Sequence, residues 1–158
     1  MDKIKIEIKW AIIFVFILMI WMVLERLGGF HDVRIDKHPI VTNFFMIPAV
    51  LAYVFALLDK KKNYYNGVMS YRQAFISGAI LTLIVTLFSP LVQVISSMAI
   101  SPDYFKNIIE YSVENEKMTR DKAEAYFNLK NYLIQVIIAT PIMGLVTTAI
   151  VAIFVRSR

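Results

Sequence analysis

The chain contains no cysteine, and the other residue types that it uses sparingly are also informative. Its 158 residues include 2 His, 2 Trp, 5 Gly and 5 Pro. Without cysteine there can be no disulfide, no thiolate nucleophile, no iron–sulfur cluster and no thiolate zinc site. Charged residues are few as well, at 18%, and they are confined to short segments between long apolar runs. These absences exclude cysteine-based chemistry and leave the redox compartment undetermined.

Apolar residues, by contrast, are in excess. Hydrophobic residues make up 58% of the chain and the mean hydropathy is +0.61, whereas soluble domains are roughly 45–50% apolar. The sequence therefore predicts an integral membrane protein, with one domain over residues 1–158. The net charge of +5 arises from basic residues that flank apolar runs, as topology signals do, so we expect no nucleic-acid partner.

Four apolar runs are long enough to cross a bilayer core, which requires about 20 helical residues. The predicted spans are residues 4–27, 40–58, 73–100 and 132–155. Glu25 and Arg26 follow the apolar part of the first run in place of a small-residue cleavage site, so a retained helix is favoured over a signal peptide. The predicted fold class is all-α, a bundle of four transmembrane helices.

One long polar segment, residues 102–131, separates the third and fourth spans. Its apolar and charged positions predict an amphipathic helical hairpin. The sequence Ser-Pro-Asp before it is typical of a helix start, with Ser101 as the capping residue. The acids of this segment are spread along a helical surface, as on a solvated face. Its apolar side is expected to rest on the membrane or the bundle, or alternatively to bind a partner protein.

The distribution of basic residues predicts the topology. Lys and Arg are denser in segments 1–9, 59–73 and 156–158 than in segments 25–39 and 101–131. Because cytoplasmic loops carry the excess of positive charge, both termini are expected in the cytoplasm. The amphipathic hairpin would then lie on the extracytoplasmic side.

Three short motifs carry a resemblance to a known family. They are NGVMSYRQAFISG at residues 66–78, PDYF at residues 102–105, and PIMG at residues 141–144 in the last span. The first resembles a Gly-x-x-Ser-(aromatic or Gly)-x-x-Ala-Phe-x-x-Gly element, and the second a proline–acid–aromatic helix start, of domain of unknown function family 4199. That family consists of small four-helix membrane proteins of certain Gram-negative bacteria. The resemblance implies this architecture and a bacterial inner-membrane location, but no activity, substrate or catalytic residue.

Small and polar side chains line one face of each of the last two predicted spans. These residues are Gly78, Thr82, Thr86, Ser89, Gln93 and Ser96 on the third span, and Thr140, Gly144, Thr147 and Thr148 on the fourth. Such faces allow helix backbones to approach closely, so we expect them to form helix-packing or partner-contact surfaces. The alternative is a partly hydrated path. Because no ionisable residue lies deep in a predicted span, ion- or proton-coupled transport by the monomer is disfavoured.

Two groups of polar residues near the membrane surface are candidate binding sites. The first loop offers His31, Asp32, Asp36 and His38. Their spacing matches no metal-ligand motif, so we expect solvated loop residues and neither metal nor other cofactor. The basic residues expected to contact lipid headgroups are Lys60, Lys61, Lys62 and Arg72. Each such residue near an anionic surface contributes about 1 kcal/mol.

No stretch of the chain matches a catalytic signature. We therefore expect a non-enzymatic accessory or scaffold subunit of a bacterial inner-membrane complex. Its expected partners are membrane lipids and either another membrane protein or further copies of this chain. One alternative is an oligomeric transporter or flippase component that uses the polar face of the third span. Another is a membrane enzyme that uses the His and Asp residues of the first loop.

Overall fold

Helices build the fold throughout residues 2–157, the part of the chain that our computed structural model describes. This range contains no strand. Its α-helices are α1 Lys5–Leu27, α2 His38–Asn43, α3 Met46–Asn63, α4 Tyr71–Ile95, α5 Tyr104–Glu114, α6 Arg120–Tyr126 and α7 Leu129–Val155. Short 3-10 turns at Asp2–Ile4 and Ile35–Lys37 precede α1 and α2, and a π-helical turn at Ser96–Ile100 extends α4.

Four helical stretches of the described chain are long and apolar enough to cross a membrane. They are Lys5–Leu27, Ile35–Asn63, Tyr71–Ile100 and Leu129–Val155, with 23, 29, 30 and 27 residues. The chain is therefore a multi-pass helical membrane protein, and the predicted fold class is confirmed. The second stretch extends beyond the apolar run at residues 40–58 on both sides. Helix α3 continues through Lys60 and Lys61, whose side chains bond to Glu7 and to the Val155 carbonyl.

The four long helices form a bundle in which α4 is the central element. Helix α4 contacts α1, α3 and α7, and α3 also contacts α1 and α7. The densest core lies in the half of the bundle that is nearer to the chain termini. Its fully buried members include Ala11, Leu57, Ala74, Leu81, Val85 and Ala152. The other half of the bundle is less completely filled, and this difference creates the cavity described below.

Two glycines bring α4 and α7 into close contact. A Cβ atom on Gly78 of α4 would lie 2.4 Å from Cγ2 of Thr148, and one on Gly144 of α7 would lie 2.5 Å from Cγ2 of Thr82. Each glycine of one helix thus receives a threonine of the other. No side chain larger than hydrogen fits at either glycine position at this helix separation.

Capping side chains fix where two of the long helices begin. Ser70 Oγ accepts a hydrogen bond from the backbone N–H of Gln73 at 3.3 Å, and the Gln73 side chain accepts one from the Ser70 N–H at 2.8 Å. This reciprocal capping box starts α4. Asn128 Oδ1 accepts from the backbone N–H of Asn131 at 3.0 Å and starts α7.

Helices α5 and α6 lie between the third and fourth spans and contact one another. Ile108 of α5 and Ala123 of α6 are buried. Helix α5 begins at Tyr104 without a side-chain cap. The predicted capping role of Ser101 is therefore wrong, because its hydroxyl contacts His31 Nδ1 at 2.5 Å instead.

Candidate functional site

The polar face of α4 has two parts with different surroundings. Toward the termini, Thr82 donates to the carbonyl of Gly78 at 2.9 Å, and its hydroxyl is also bonded to Tyr53 at 2.8 Å. This part is closed by helix packing. Further along the helix, Ser89 and Gln93 line a cavity. The polar face is thus a packing surface at one end and a cavity wall at the other.

The small-residue face of α7 faces the same interior. Thr148 is fully buried against Gly78, while Thr140, Gly144 and Thr147 line the cavity. On α4, half-buried Thr86 donates to the carbonyl of Thr82 at 2.8 Å, and Ser96 is buried in the π-helical turn that extends α4. The structure therefore places the residues of both predicted faces inside the bundle.

The cavity has a volume of about 570 Å³ and lies among α1, α2, α3, α4 and α7. Most of its wall is aliphatic, aromatic or methionine side chain. The polar groups that reach it are Thr42, Asn43, Tyr53, Ser89, Gln93, Thr140 and Thr147, and no Asp, Glu, Lys, Arg or His residue is among the lining residues. Such a lining suits an apolar ligand held by a few hydrogen bonds.

The exposed lining residues show where the cavity opens. Met46 of α3 is 62% exposed and Met143 of α7 is 58% exposed, and both line the cavity. The mouth therefore lies between α3 and α7. Because both helices belong to spanning stretches, the mouth faces the membrane.

A buried ion pair closes the end of the bundle that is near the termini. Lys60 Nζ lies 2.9 Å from Glu7 Oε1, and the two side chains are only 3% and 2% exposed. Ser77 donates to the same carboxylate at 2.6 Å. Lys60 also bonds to the Lys3 carbonyl and lies 3.9 Å from the centroid of the Tyr64 ring. All of these partners stabilise charges that would be costly to bury alone.

This ion pair corrects part of the predicted lipid-headgroup surface. Lys60 is buried, so the headgroup contact expected of it is wrong. Half-buried Lys61 donates to the carbonyl of Val155 at 2.9 Å and so holds α3 to the end of α7. Lys62 and Arg72 are exposed and stay candidates for headgroup contact.

A second buried polar cluster lies at the opposite end of the bundle. It consists of Glu25 near the end of α1, His31 in the following loop and His38 at the start of α2. Oε2 of Glu25 lies 3.4 Å from Nε2 of His31 and 3.8 Å from Nε2 of His38. The expectation of solvated loop residues is wrong for His31, whose side chain is 6% exposed. Asp36 is exposed, and Asp32 instead lies 3.6 Å from Arg26.

Aromatic and hydroxyl side chains surround this cluster. The Trp21 indole N–H donates to Oε1 of Glu25 at 2.8 Å. The hydroxyl of Tyr104 lies 3.4 Å from Nδ1 of His38 and 3.3 Å from the hydroxyl of Tyr132. Burial, with a smaller effect from Tyr132, raises the pKa of Tyr104 well above its usual value of 10. The phenol therefore stays protonated at physiological pH.

Helix α5 completes the cluster from the other side of the loop. Asn107 donates to the carbonyl of His31 at 2.9 Å, and the Tyr104 ring lies 5.3 Å from the His31 ring. Sequence reasoning had no reason to include Glu25, which it treated as the end of an apolar run. The sequence feature that could have pointed to Glu25 is Trp21, which lies four residues earlier and therefore on the same helical face.

Comparison with known proteins gives a family match. A family model described as "Protein of unknown function (DUF4199)" matches residues 9–157. No curated protein and no solved structure matches this chain. The family match covers nearly the whole chain and confirms the resemblance that the sequence motifs carry. The four-helix protein therefore belongs to the DUF4199 family.

Proposed function

We propose that this protein is a non-enzymatic accessory or scaffold subunit of a bacterial inner-membrane complex, and that its cavity binds the apolar chain of a membrane lipid. The cavity, about 570 Å³ with an uncharged lining, is the observation that supports this proposal. Ligand pockets typically have volumes of roughly 300–1,000 Å³, mainly apolar walls and a few polar groups. An acyl or isoprenoid chain has the matching polarity.

Packing, rather than the hydrophobic effect, would stabilise such a chain. A chain that moves from the bilayer into the cavity leaves one apolar medium for another, so it gains little from dehydration. It does gain dispersion contacts with wall atoms that otherwise have no partners on one side. The mouth between Met46 and Met143 is formed by flexible side chains that can adapt to the entering chain.

The cavity chemistry also supports a non-enzymatic role. Catalysis by acid, base or nucleophile requires an activated titratable group in reach of the substrate. Among the lining residues, the titratable side chain is Tyr53, and its hydroxyl is held by Thr82. The remaining polar groups of the wall are amides and hydroxyls that can orient a ligand but are poorly suited to transform it.

The charge distribution supports cytoplasmic termini. Lys62 and Arg72 are exposed at the end of the bundle that carries the termini, as expected of residues on the cytoplasmic side. The cavity would then lie mainly in the extracytoplasmic half of the membrane, since Asn43 and Gln93 in its wall belong to the halves of their spanning stretches that are farther from the termini.

Native mass spectrometry of the tagged protein, purified from its own membrane in mild detergent, tests the proposal. The matched variants are Met143→Trp at the mouth and Ile142→Trp beside it, because the two positions are 58% and 55% exposed and only Met143 lines the cavity. We expect wild type and Ile142→Trp to retain a bound lipid and a stoichiometric partner protein. We expect Met143→Trp to lose the lipid. Equal lipid retention by the two variants would contradict the binding site, and purification without any partner would contradict the accessory role.

A transporter or flippase component is the second candidate. It is favoured by one observation, that the polar faces of α4 and α7 both contribute to the cavity, through Gln93 and Thr140. The close contacts at Gly78 and Gly144 block a path toward the termini, so transport would require α4 and α7 to separate. A Gln93→Trp variant that assembles normally but abolishes lipid movement in reconstituted vesicles would support this function. Loss of assembly together with movement would remove its support.

A further inference from the structure

We propose that Glu25, His31 and His38 form a binding site for a divalent transition-metal ion, with Zn²⁺ as the best match. The site lies outside the cavity, and it goes beyond the proposed function of the protein. One oxygen of Glu25 and one nitrogen of each histidine form a group of potential ligand atoms within 4.8 Å of one another.

The distance between Glu25 and His31 fits two ligands of a shared ion better than it fits a hydrogen bond. Oε2 of Glu25 faces Nε2 of His31 at 3.4 Å and Nε2 of His38 at 3.8 Å, whereas N–H···O bonds usually measure about 2.7–3.2 Å. Two ligands bound tetrahedrally to Zn²⁺ at about 2.0–2.1 Å lie about 3.3–3.4 Å apart. The three ligand atoms lie within 4.8 Å of one another, so ion binding would draw the histidine side chains inward.

The second nitrogen of each histidine has a partner of the kind that orients metal ligands. Nδ1 of His31 contacts Ser101 Oγ at 2.5 Å, and Nδ1 of His38 lies 3.4 Å from the Tyr104 hydroxyl. If both Nδ1 atoms carry the proton, His31 donates a hydrogen bond to Ser101 and His38 faces the more distant Tyr104 hydroxyl. Both Nε2 lone pairs then face Glu25. Histidines that bind metals almost always donate the other ring N–H to a carboxylate, a backbone carbonyl or water, and here hydroxyl oxygens occupy that position.

Burial and ligand chemistry lead to the same ion. Glu25 and His31 side chains are 4% and 6% exposed, and a buried carboxylate needs a compensating positive charge. Two imidazoles and one carboxylate suit zinc, whereas Mg²⁺ and Ca²⁺ prefer oxygen ligands. Three protein ligands leave a fourth position for water or an exogenous ligand. The ion would join the end of α1, the first loop and the start of α2.

Metal binding can be measured on the whole protein, purified in detergent with an affinity tag that contains no histidine and stripped by a chelator. Competition between the protein and a chromophoric chelator then gives the affinity for Zn²⁺. We expect wild type to bind one Zn²⁺ per chain, and His31→Gln, His38→Gln and Glu25→Gln to lose this binding. Asp36→Asn, an exposed acid of the same loop, is the control and should bind as wild type does. Ser101→Ala should weaken binding by about 10–100-fold, as removal of a supporting hydrogen bond typically does.

X-ray absorption spectroscopy of the zinc-loaded wild type keeps the proposal testable if the variants fail to fold. Two imidazole ligands and light-atom coordination at tetrahedral distances are the expected result. Wild-type affinity no higher than that of the His31→Gln/His38→Gln double variant would overturn the proposal. A spectrum without imidazole scattering would overturn it as well.

Discussion

The buried ion pair of Glu7 and Lys60 gives a quantitative prediction. Both side chains are almost completely buried, and the carboxylate also accepts a hydrogen bond from Ser77. Replacing Lys60 by Met removes the positive charge and keeps most of the side-chain volume. The Glu7 carboxylate is then left buried with Ser77 alone.

The magnitude follows from the burial of both charges. Removing one partner of a buried pair costs about 3–5 kcal/mol, because the remaining charge is uncompensated. Replacing both partners by apolar residues of similar volume is often neutral. We therefore expect Lys60→Met and Glu7→Leu each to lower the free energy of unfolding by about 3–5 kcal/mol. The Glu7→Leu/Lys60→Met double variant should lose much less than the sum of the two.

Equilibrium unfolding in mixed detergent micelles, followed by the fluorescence of Trp10 and Trp21, measures these differences. The matched control is Lys62→Met, because Lys62 is exposed and its replacement should change stability by less than about 0.5 kcal/mol. If Lys60→Met and Lys62→Met have the same small effect, Lys60 is not buried in a pair. If the losses at Glu7 and Lys60 simply add, the two charges do not stabilise one another.

Two further predictions concern the contact between α4 and α7. In Gly78→Ala the new Cβ would lie 3.0 Å or less from three atoms of Thr148, so we expect the free energy of unfolding to fall by about 1–3 kcal/mol. The Gly78→Ala/Thr148→Ala double variant should recover part of this loss. Unchanged unfolding of the single variant would show that the helices are farther apart. The Thr148 hydroxyl is a buried group without a hydrogen-bond partner, so near-isosteric Thr148→Val should raise stability by about 1 kcal/mol in the same assay. A destabilised Thr148→Val protein would show that the hydroxyl is bonded.

The sequence predicts four membrane-spanning helices because length and apolarity alone decide them. An uninterrupted apolar run cannot leave its backbone groups unpaired in a bilayer, so it must be helical. The same reasoning places the small residues of α4 and α7, such as Gly78 and Gly144, on interior faces. Neither argument needs knowledge of which helices are neighbours.

The two buried polar clusters escape this reasoning because their partners are distant in the chain. Glu7 and Lys60 are 53 positions apart, and His31 and Ser101 are 70 positions apart. Taken singly, Lys60 has the sequence signature of a headgroup contact and Ser101 that of a helix cap. Only the arrangement of helices shows that each has a closer partner.

The cavity was equally inaccessible to sequence reasoning. Its wall combines ordinary core residues, such as Val85 and Val92, with polar positions of both small-residue faces. Whether such positions touch or leave a space depends on the separation of α3 and α7 near Met46 and Met143. A pattern of residue types does not specify this separation.

Photocrosslinking with a phospholipid that carries a diazirine in its acyl chain tests the lipid-binding claim most directly. After irradiation in native membranes, the sites of attachment are mapped by mass spectrometry of peptides. We predict that adducts concentrate on cavity residues such as Met46 and Met143, and that Met143→Trp abolishes this enrichment while Ile142→Trp preserves it. The account would be contradicted if the labelling merely followed exposure. In that case Leu87, which is 72% exposed, and Phe154, which is 81% exposed, would carry as much label as the cavity wall.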